Sequence, residues 1–226
     1  MTENKTPLKD KIAPSRILEK IPASKMKGDL ERYRKMAIEL GAEDATIVST
    51  DDIIIDERVR AKCIYPKCSF YGSNLNCPPH AADLDFMRKV VAKYNHAVLF
   101  SVKDESGDFF GTDFRKRTGK QNPSKTILNT ICSEIESRAF YDGYHLALAF
   151  GQGPCKSFWC ADKPCAGLHE DGICRFSYKA RSSMEAVGID VFKMVAKTGW
   201  EIYPCGARVD PEKTPHVLLV GLILIT

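Results

Sequence analysis

The feature that most restricts this chain is a cysteine spacing that occurs twice. Cys63, Cys68 and Cys77 are five and nine positions apart, and Cys160, Cys165 and Cys174 repeat both separations. Each triplet follows a helix-like and then a strand-like stretch, and precedes another such pair. In the first half, Leu30, Tyr33, Ala37 and Leu40 share one helical face, and Gly41 stands where a C-terminal cap belongs. Ala45–Val48 and Ile53–Ile55 read as short strands. Beyond the cysteines, Leu84, Met87, Val91 and Tyr94 mark a helix with Asp83 as its N-cap, and His96–Val102 a strand.

The second half starts the same order again. Leu128, Cys132, Ile135 and Ala139 make a helical face, and Tyr144–Phe150 reads as a strand. Ser182 and Glu185 have capping-box spacing, with Glu185 read as a cap. The helical stretch they open is broken near Gly188-Ile189-Asp190, where Asp190 caps the next segment, and ends before Gly199. Strands are expected at Trp200–Tyr203 and at Val217–Ile225, the latter apolar enough to be buried on both faces. The expectation is therefore an α/β single domain with an internal pseudo-twofold repeat of a helix–strand–Cys loop–helix–strand unit. Its half-repeats span about 29–102 and 126–226, joined by a polar insert at 103–125 and preceded by a flexible basic arm at 1–28. The cysteine loops should emerge from the C-terminal ends of strands, where open α/β sheets hold their ligands.

Composition narrows the class. Of 226 residues, 44% are hydrophobic, enough for a core. The net charge of +4 is too mild to demand nucleic acid. Arg115, Lys116, Arg117, Lys120 and Lys125 in the insert read as a solvated loop rather than a phosphate-binding patch. The N-terminus has no apolar core of a secretory leader, and the longest apolar run, Val217–Thr226, is well short of the ~20 residues of a spanning helix. These features predict a cytoplasmic protein with no membrane partner. In that reducing setting nine cysteines serve metal or redox chemistry rather than disulfides.

The two loops differ in one respect. Cys155 lies five residues before Cys160, whereas the matching position in the first half is Arg58. The second loop thus offers Cys155, Cys160, Cys165 and Cys174, and the first only Cys63, Cys68 and Cys77. Zinc sites favour tight pairs two to four residues apart, and wider separations suit an iron–sulfur cluster, whose metal corners are spread. The favoured cofactor is one or two iron–sulfur clusters, 4Fe-4S in particular, with zinc as the alternative. Cys77-Pro78 also shares the Cys-Pro ending of ferredoxin motifs. Lys62, Lys67, Lys156, Lys163 and Arg175 flank the cysteines and would favour thiolates.

The strings Cys63-x4-Cys68-x2-Tyr71-Gly72-x4-Cys77-Pro78-Pro79, Gly153-Pro154-Cys155 and Arg181-x-Ser183-Met184-Glu185-Ala186-x-Gly188-Ile189-Asp190-Val191 resemble the predicted metal-binding proteins of domain of unknown function 2284. The resemblance covers about residues 25–226. It implies a cysteine-bound metal centre, iron–sulfur in kind, in a prokaryote of anaerobic habit, and it implies no established reaction.

The first loop lacks a fourth cysteine ligand. Cys205 in Tyr203-Pro204-Cys205-Gly206 is one candidate and His80 another; otherwise the iron stays open and acts as a Lewis acid. Cys132 reads as packing, and His80 and His169 as exposed loop residues. Phe70, Tyr71, Phe158 and Trp159 are placed to keep water from a cluster or simply to fill core. Gly151-Gln152-Gly153 is no nucleotide loop, because Pro154 removes a donor and no further motif residue follows. The expected function is electron transfer to a redox partner protein, or chemistry on a small-molecule substrate at the Cys63/Cys68/Cys77 site. The rival is a zinc-stabilised binding module for RNA that uses the basic insert and arm.

Overall fold

The computed structural model describes residues 12–104, 109–110, 122–161, 163–169, 172–206 and 208–226. Four strands form one antiparallel sheet: β1 (Asp44–Ser49), β2 (His96–Asp104), β3 (Leu148–Phe150) and β4 (Val217–Leu224), in the order β1-β2-β4-β3. The longest ladder joins β2 to β4, from Ala97 opposite Leu224 to Asp104 opposite Val217. Side chains alternate across the sheet as the period of two demands. Val98, Phe100, Val102, Leu219 and Ile223 face one layer, and Ala97, Leu99, Val220, Leu222 and Leu224 face the other. The final strand is buried on both faces, as its sequence predicts. Gly221 is required there, since a Cβ would run into the ring of Phe100.

Helices cover both faces. α1 (Ala23–Glu39) and α4 (Pro123–Tyr141) pack on the first through Leu30, Tyr33, Leu128, Ile131, Cys132 and Ile135. The C-terminal end of α4 is tied to the middle of α1 by Asp142, which accepts from Tyr33 (2.9 Å), Arg32 (2.6 Å) and Arg138 (3.0 Å). On the second face lie α3 (Leu84–Val91) and α5 (Val191–Thr198), with Met87, Val91, Met194 and Val195 buried. Asp83 caps α3 by accepting from the Phe86 N–H, and Asp190 caps α5 by accepting from the Lys193 N–H. α2 (Glu57–Ile64) carries the start of the first cysteine loop.

Several expectations change. Helix α1 reaches back to Ala23, into the stretch read as an arm; residues 1–11 lie outside the described part. Ile53–Ile55 is not a strand: Thr50–Asp52 form a 3-10 turn, and only Ile55 bridges to Ile189. Trp200–Tyr203 joins no ladder; Trp200 and Ile202 pack instead against the core of the second face. β3 keeps only three residues, since Tyr144 is drawn into the helical layer by its hydroxyl bond to Asp29 (2.9 Å). Lys125 is no solvated loop residue: it is buried in α4 with Nζ 4.8 Å from the centre of the Phe109 ring. Arg115, Lys116, Arg117 and Lys120 lie outside the described residues. β1 and β3 are antiparallel edge strands, so their C-terminal ends do not share one end of the sheet, as the parallel-sheet rule would have it. Among the described residues no helix is long and apolar enough to cross a membrane.

Candidate metal centre

The first loop begins on a helix. Asp56 caps α2 by accepting from the Arg58 N–H at 2.8 Å, and Cys63 follows Arg60 by three residues, on the same helical face. The Cys63 carbonyl accepts from Cys68 N (3.0 Å), the Cys68 carbonyl from Tyr71 N (3.0 Å), and the Cys77 carbonyl from His80 N (3.0 Å). Cys77 is buried, and Cys63 and Cys68 are half-buried. Charge on Cys68 would act on Cys63, and charge on either would act on Cys77, so the three thiols are neighbours.

The second loop uses the same device in 3-10 turns. Cys155, Cys160 and Cys165 accept through their carbonyls from Trp159 (2.9 Å), Lys163 (3.0 Å) and Leu168 (3.0 Å). Cys155, Cys160, Cys165 and Cys174 line one pocket, whose remaining wall includes Trp159 and the Asn74-Leu75-Asn76 segment of the first loop. Trp159 stacks on Phe176, with ring centres 5.7 Å apart, and meets Phe158 edge-on at 5.3 Å. Lys179 sits over its ring at 5.4 Å.

One segment anchors both loops. Ser183 bridges to Gly151 at the end of β3, and Ile189 bridges to Ile55 ahead of α2. Around these bridges Gly151 N donates to Ser182 (3.0 Å), Asp56 N to Gly188 (2.8 Å), and Asp190 N to Ile54 (2.9 Å). Arg181 Nε pairs with Glu136 of α4 at 2.7 Å, and the other Glu136 oxygen accepts from Ala149 N at 2.8 Å. The Ser-Met-Glu-Ala…Gly-Ile-Asp string is thus the clasp between the loops, with Met184, Val187 and Ile189 in the core. Its cap differs from the expected one: the Ser183 hydroxyl, not Ser182, accepts from Ala186 N at 3.2 Å. Gly151 owes its place to Asn129, whose side chain occupies the space a Cβ would need.

Of the flanking cations, Arg175 acts on a cysteine as expected, and Arg60 is added to them. Arg60 is the cation acting on Cys63 and Cys77, and it is fixed by donating to the carbonyls of Ala186 (2.6 Å) and Ala82 (3.0 Å). Arg175 plays that part at Cys160. Lys67 instead rests over the Tyr71 ring, 5.1 Å away, and Lys156 donates to the Lys163 carbonyl. Burial dominates nonetheless: it pushes the Cys77 thiol up to about 11 and the Cys155 thiol up to about 12. Arg60 stands three residues before Cys63 in the sequence, a helical spacing that could have found it. Arg58, opposite Cys155 in the repeat, is exposed and paired with Asp56.

The remaining candidates differ in exposure. Cys205 is exposed, donates to the Tyr203 carbonyl and has Asp104 as its charged neighbour. His80 and His169 are exposed, and Cys132 is wholly buried against β3, where it donates to the Phe150 carbonyl.

The residues fit a thiolate-bound metal group. The second pocket offers four sulfur donors, and Trp159 Nε1 in its wall is a buried donor with no hydrogen-bond partner. A bound group with anionic sulfur would satisfy that N–H. Among the described residues no three His, Cys, Asp or Glu side chains are gathered closely enough to hold a single metal ion. Neither the curated proteins nor the solved structures contain a match to this chain. The sequence profile of the family described as predicted metal-binding protein (DUF2284) matches residues 46–225, which takes in all eight cysteines of the two loops and the Tyr203–Gly206 turn. The chain therefore belongs to that family of predicted metal-binding proteins.

Proposed function

We propose that this is an iron–sulfur protein of the cytoplasm. Cys155, Cys160, Cys165 and Cys174 hold one centre, and Cys63, Cys68 and Cys77 hold a second. The observation that carries the reading is the second pocket: four cysteines line it together with Trp159, whose buried indole N–H has no hydrogen-bond partner. Spread sulfur donors suit a cluster, whose metal corners are apart, better than one small ion. Such a group would supply one-electron chemistry when bound. The chain's own residues hold it, exclude water through Phe158, Trp159 and Phe176, and balance its charge with Arg60 and Arg175. The task is electron transfer to a redox partner protein, or binding of a small molecule where the three-cysteine set leaves a ligand position open.

The same reading includes duplication of one helix–strand–Cys loop–helix–strand unit. It is supported by the order β1-β2-β4-β3, which is unchanged when the halves are exchanged. The helix-to-strand turns at Gly41 and Gly143 also agree, with φ of 106° and 104°.

Anaerobic purification with iron, acid-labile sulfide and zinc analysis tests the proposal. Iron with matching sulfide and a brown chromophore is the expected result. Colourless protein with stoichiometric zinc and no sulfide overturns it and leaves the zinc-stabilised binding module standing.

A further inference from the structure

The two cysteine loops are interlocked. Asn74, Leu75 and Asn76 lie between Cys68 and Cys77 in the first loop, yet they form a wall of the second loop's pocket. Asn76 donates through Nδ2 to Cys155 Sγ at 3.4 Å, and is held in that orientation by the Ser182 hydroxyl, which donates to its Oδ1 at 3.2 Å. Asn74, only 1% exposed, accepts from Cys155 Sγ at 3.5 Å through its side chain, and its backbone carbonyl accepts from Cys77 N at 3.3 Å. Leu75 packs onto Gly167, where a Cβ would collide with it. Cys77 and Cys155 therefore both bond to the same residue, Cys77 to the backbone of Asn74 and Cys155 to its side chain.

We infer that the two thiol sets form one coupled unit, in which Asn74 bridges Cys77 and Cys155 and Asn76 tunes the Cys155 sulfur. This rests on the iron–sulfur reading above. Groups bound at those two sulfurs are close enough to exchange one electron. The reduced side loses that electron and the oxidised side gains it. No bond breaks and no proton has to move, and the electron comes from a one-electron carrier outside the chain. The fourth cysteine of the second set is the one that touches the bridge, which gives the asymmetry between the loops a purpose.

The test is electron paramagnetic resonance of the fully reduced, anaerobically reconstituted full chain, with iron and sulfide measured on each sample. The expected spectrum is broadened by interaction between two centres. In Cys68→Ser it collapses to that of one isolated centre, with iron falling by about half. Asn76→Leu and Gly167→Ala should shift the second centre's potential to more negative values or weaken its loading, and leave the first centre's signal in place. A wild-type spectrum equal to the sum of those from Cys68→Ser and Cys160→Ser overturns the coupling alone. So does a second centre unchanged in both wedge variants. Protein without iron and sulfide overturns the coupling together with the reading beneath it.

Discussion

The two cysteine loops share a spacing and differ in how they are built. The first starts on an α-helix, is charge-balanced by Arg60 and closes on itself, with Gly72 N donating to the Pro78 carbonyl at 2.7 Å. The second is a run of 3-10 turns with an aromatic wall and borrows part of its lining from the first. The first loop can therefore be assembled from its own residues and the clasp, whereas the second needs the first in place. A repeated sequence pattern has given two sites of unequal independence.

Removing the fourth thiol should break that inequality with the largest effect. Cys155→Ser turns the second loop into a three-thiol set like the first. Changing a group that merely supports a metal ligand costs 10–100-fold in affinity. Losing the ligand itself should cost more than about 10-fold, read as loss of metal to a chelator. The first set should keep its metal. If the second set retains metal as wild type does, Cys155 is packing and the two loops are equivalent.

The clasp should come next, because both loops hang from it. Gly188 has φ of 82°, and a Cβ there would meet Leu84, Ile55 and the Asp56 carbonyl; Gly199 has the same φ and nothing within 4 Å. Gly199→Ala should cost about 1–2 kcal/mol for the left-handed backbone alone. Gly188→Ala should cost more by the steric term and loosen metal in both loops, as read by denaturant unfolding and metal content. Equal costs at the two glycines would show that Leu84 and Ile55 yield and that the clasp is soft.

Much of the fold was legible because it rests on short-range signals. Asp83 and Asp190 as caps, Gly41 after α1, and the apolar faces of α1 and α4 are each set by neighbours within a turn or two, and all are where expected. What the sequence hid depends on partners far along the chain. Nothing near Trp200 says that it packs on the second core instead of joining the sheet. Nothing near Asn76 says that its amide meets Cys155, and the capping-box spacing of Ser182 and Glu185 says nothing of the bridges that Ser183 and Ile189 make to Gly151 and Ile55. For the site, the cysteines themselves were legible and Arg60 could be found from its helical spacing to Cys63, whereas the Asn74-Leu75-Asn76 wedge could not.

Smaller effects follow from proton binding. Burial raises Cys155 from its ordinary 9.0 to about 12 and Cys77 to about 11. Each thiol keeps its proton longer in the folded metal-free chain than in the unfolded one. The resulting stability is complete below pH 9 and is lost as pH rises through 11 for Cys77 and 12 for Cys155. Cys132, buried in α4, adds to the same slope. Unfolding of the metal-free chain across pH 8–12 should therefore show falling stability, less steeply in Cys155→Ala than in Cys77→Ala, because the more strongly shifted group contributes more. A flat profile would mean that both thiols are already solvated in the metal-free state.

The smallest effect should be at Cys205, and there a null result carries information. Its thiol is exposed, donates to the carbonyl of Tyr203 two residues away and has Asp104 beside it, and no thiol of the first set is among the charges acting on it. Asp104 disfavours the thiolate, the form in which cysteine binds metal. Cys205→Ser should therefore leave stability within about 0.5 kcal/mol, as surface substitutions do, and leave the metal content of both loops unchanged. Loss of metal from the Cys63, Cys68 and Cys77 set alone would mean that the Tyr203–Gly206 turn swings onto the first loop when metal binds. The first loop would then also depend on a distant segment, and the contrast in independence between the two loops would disappear.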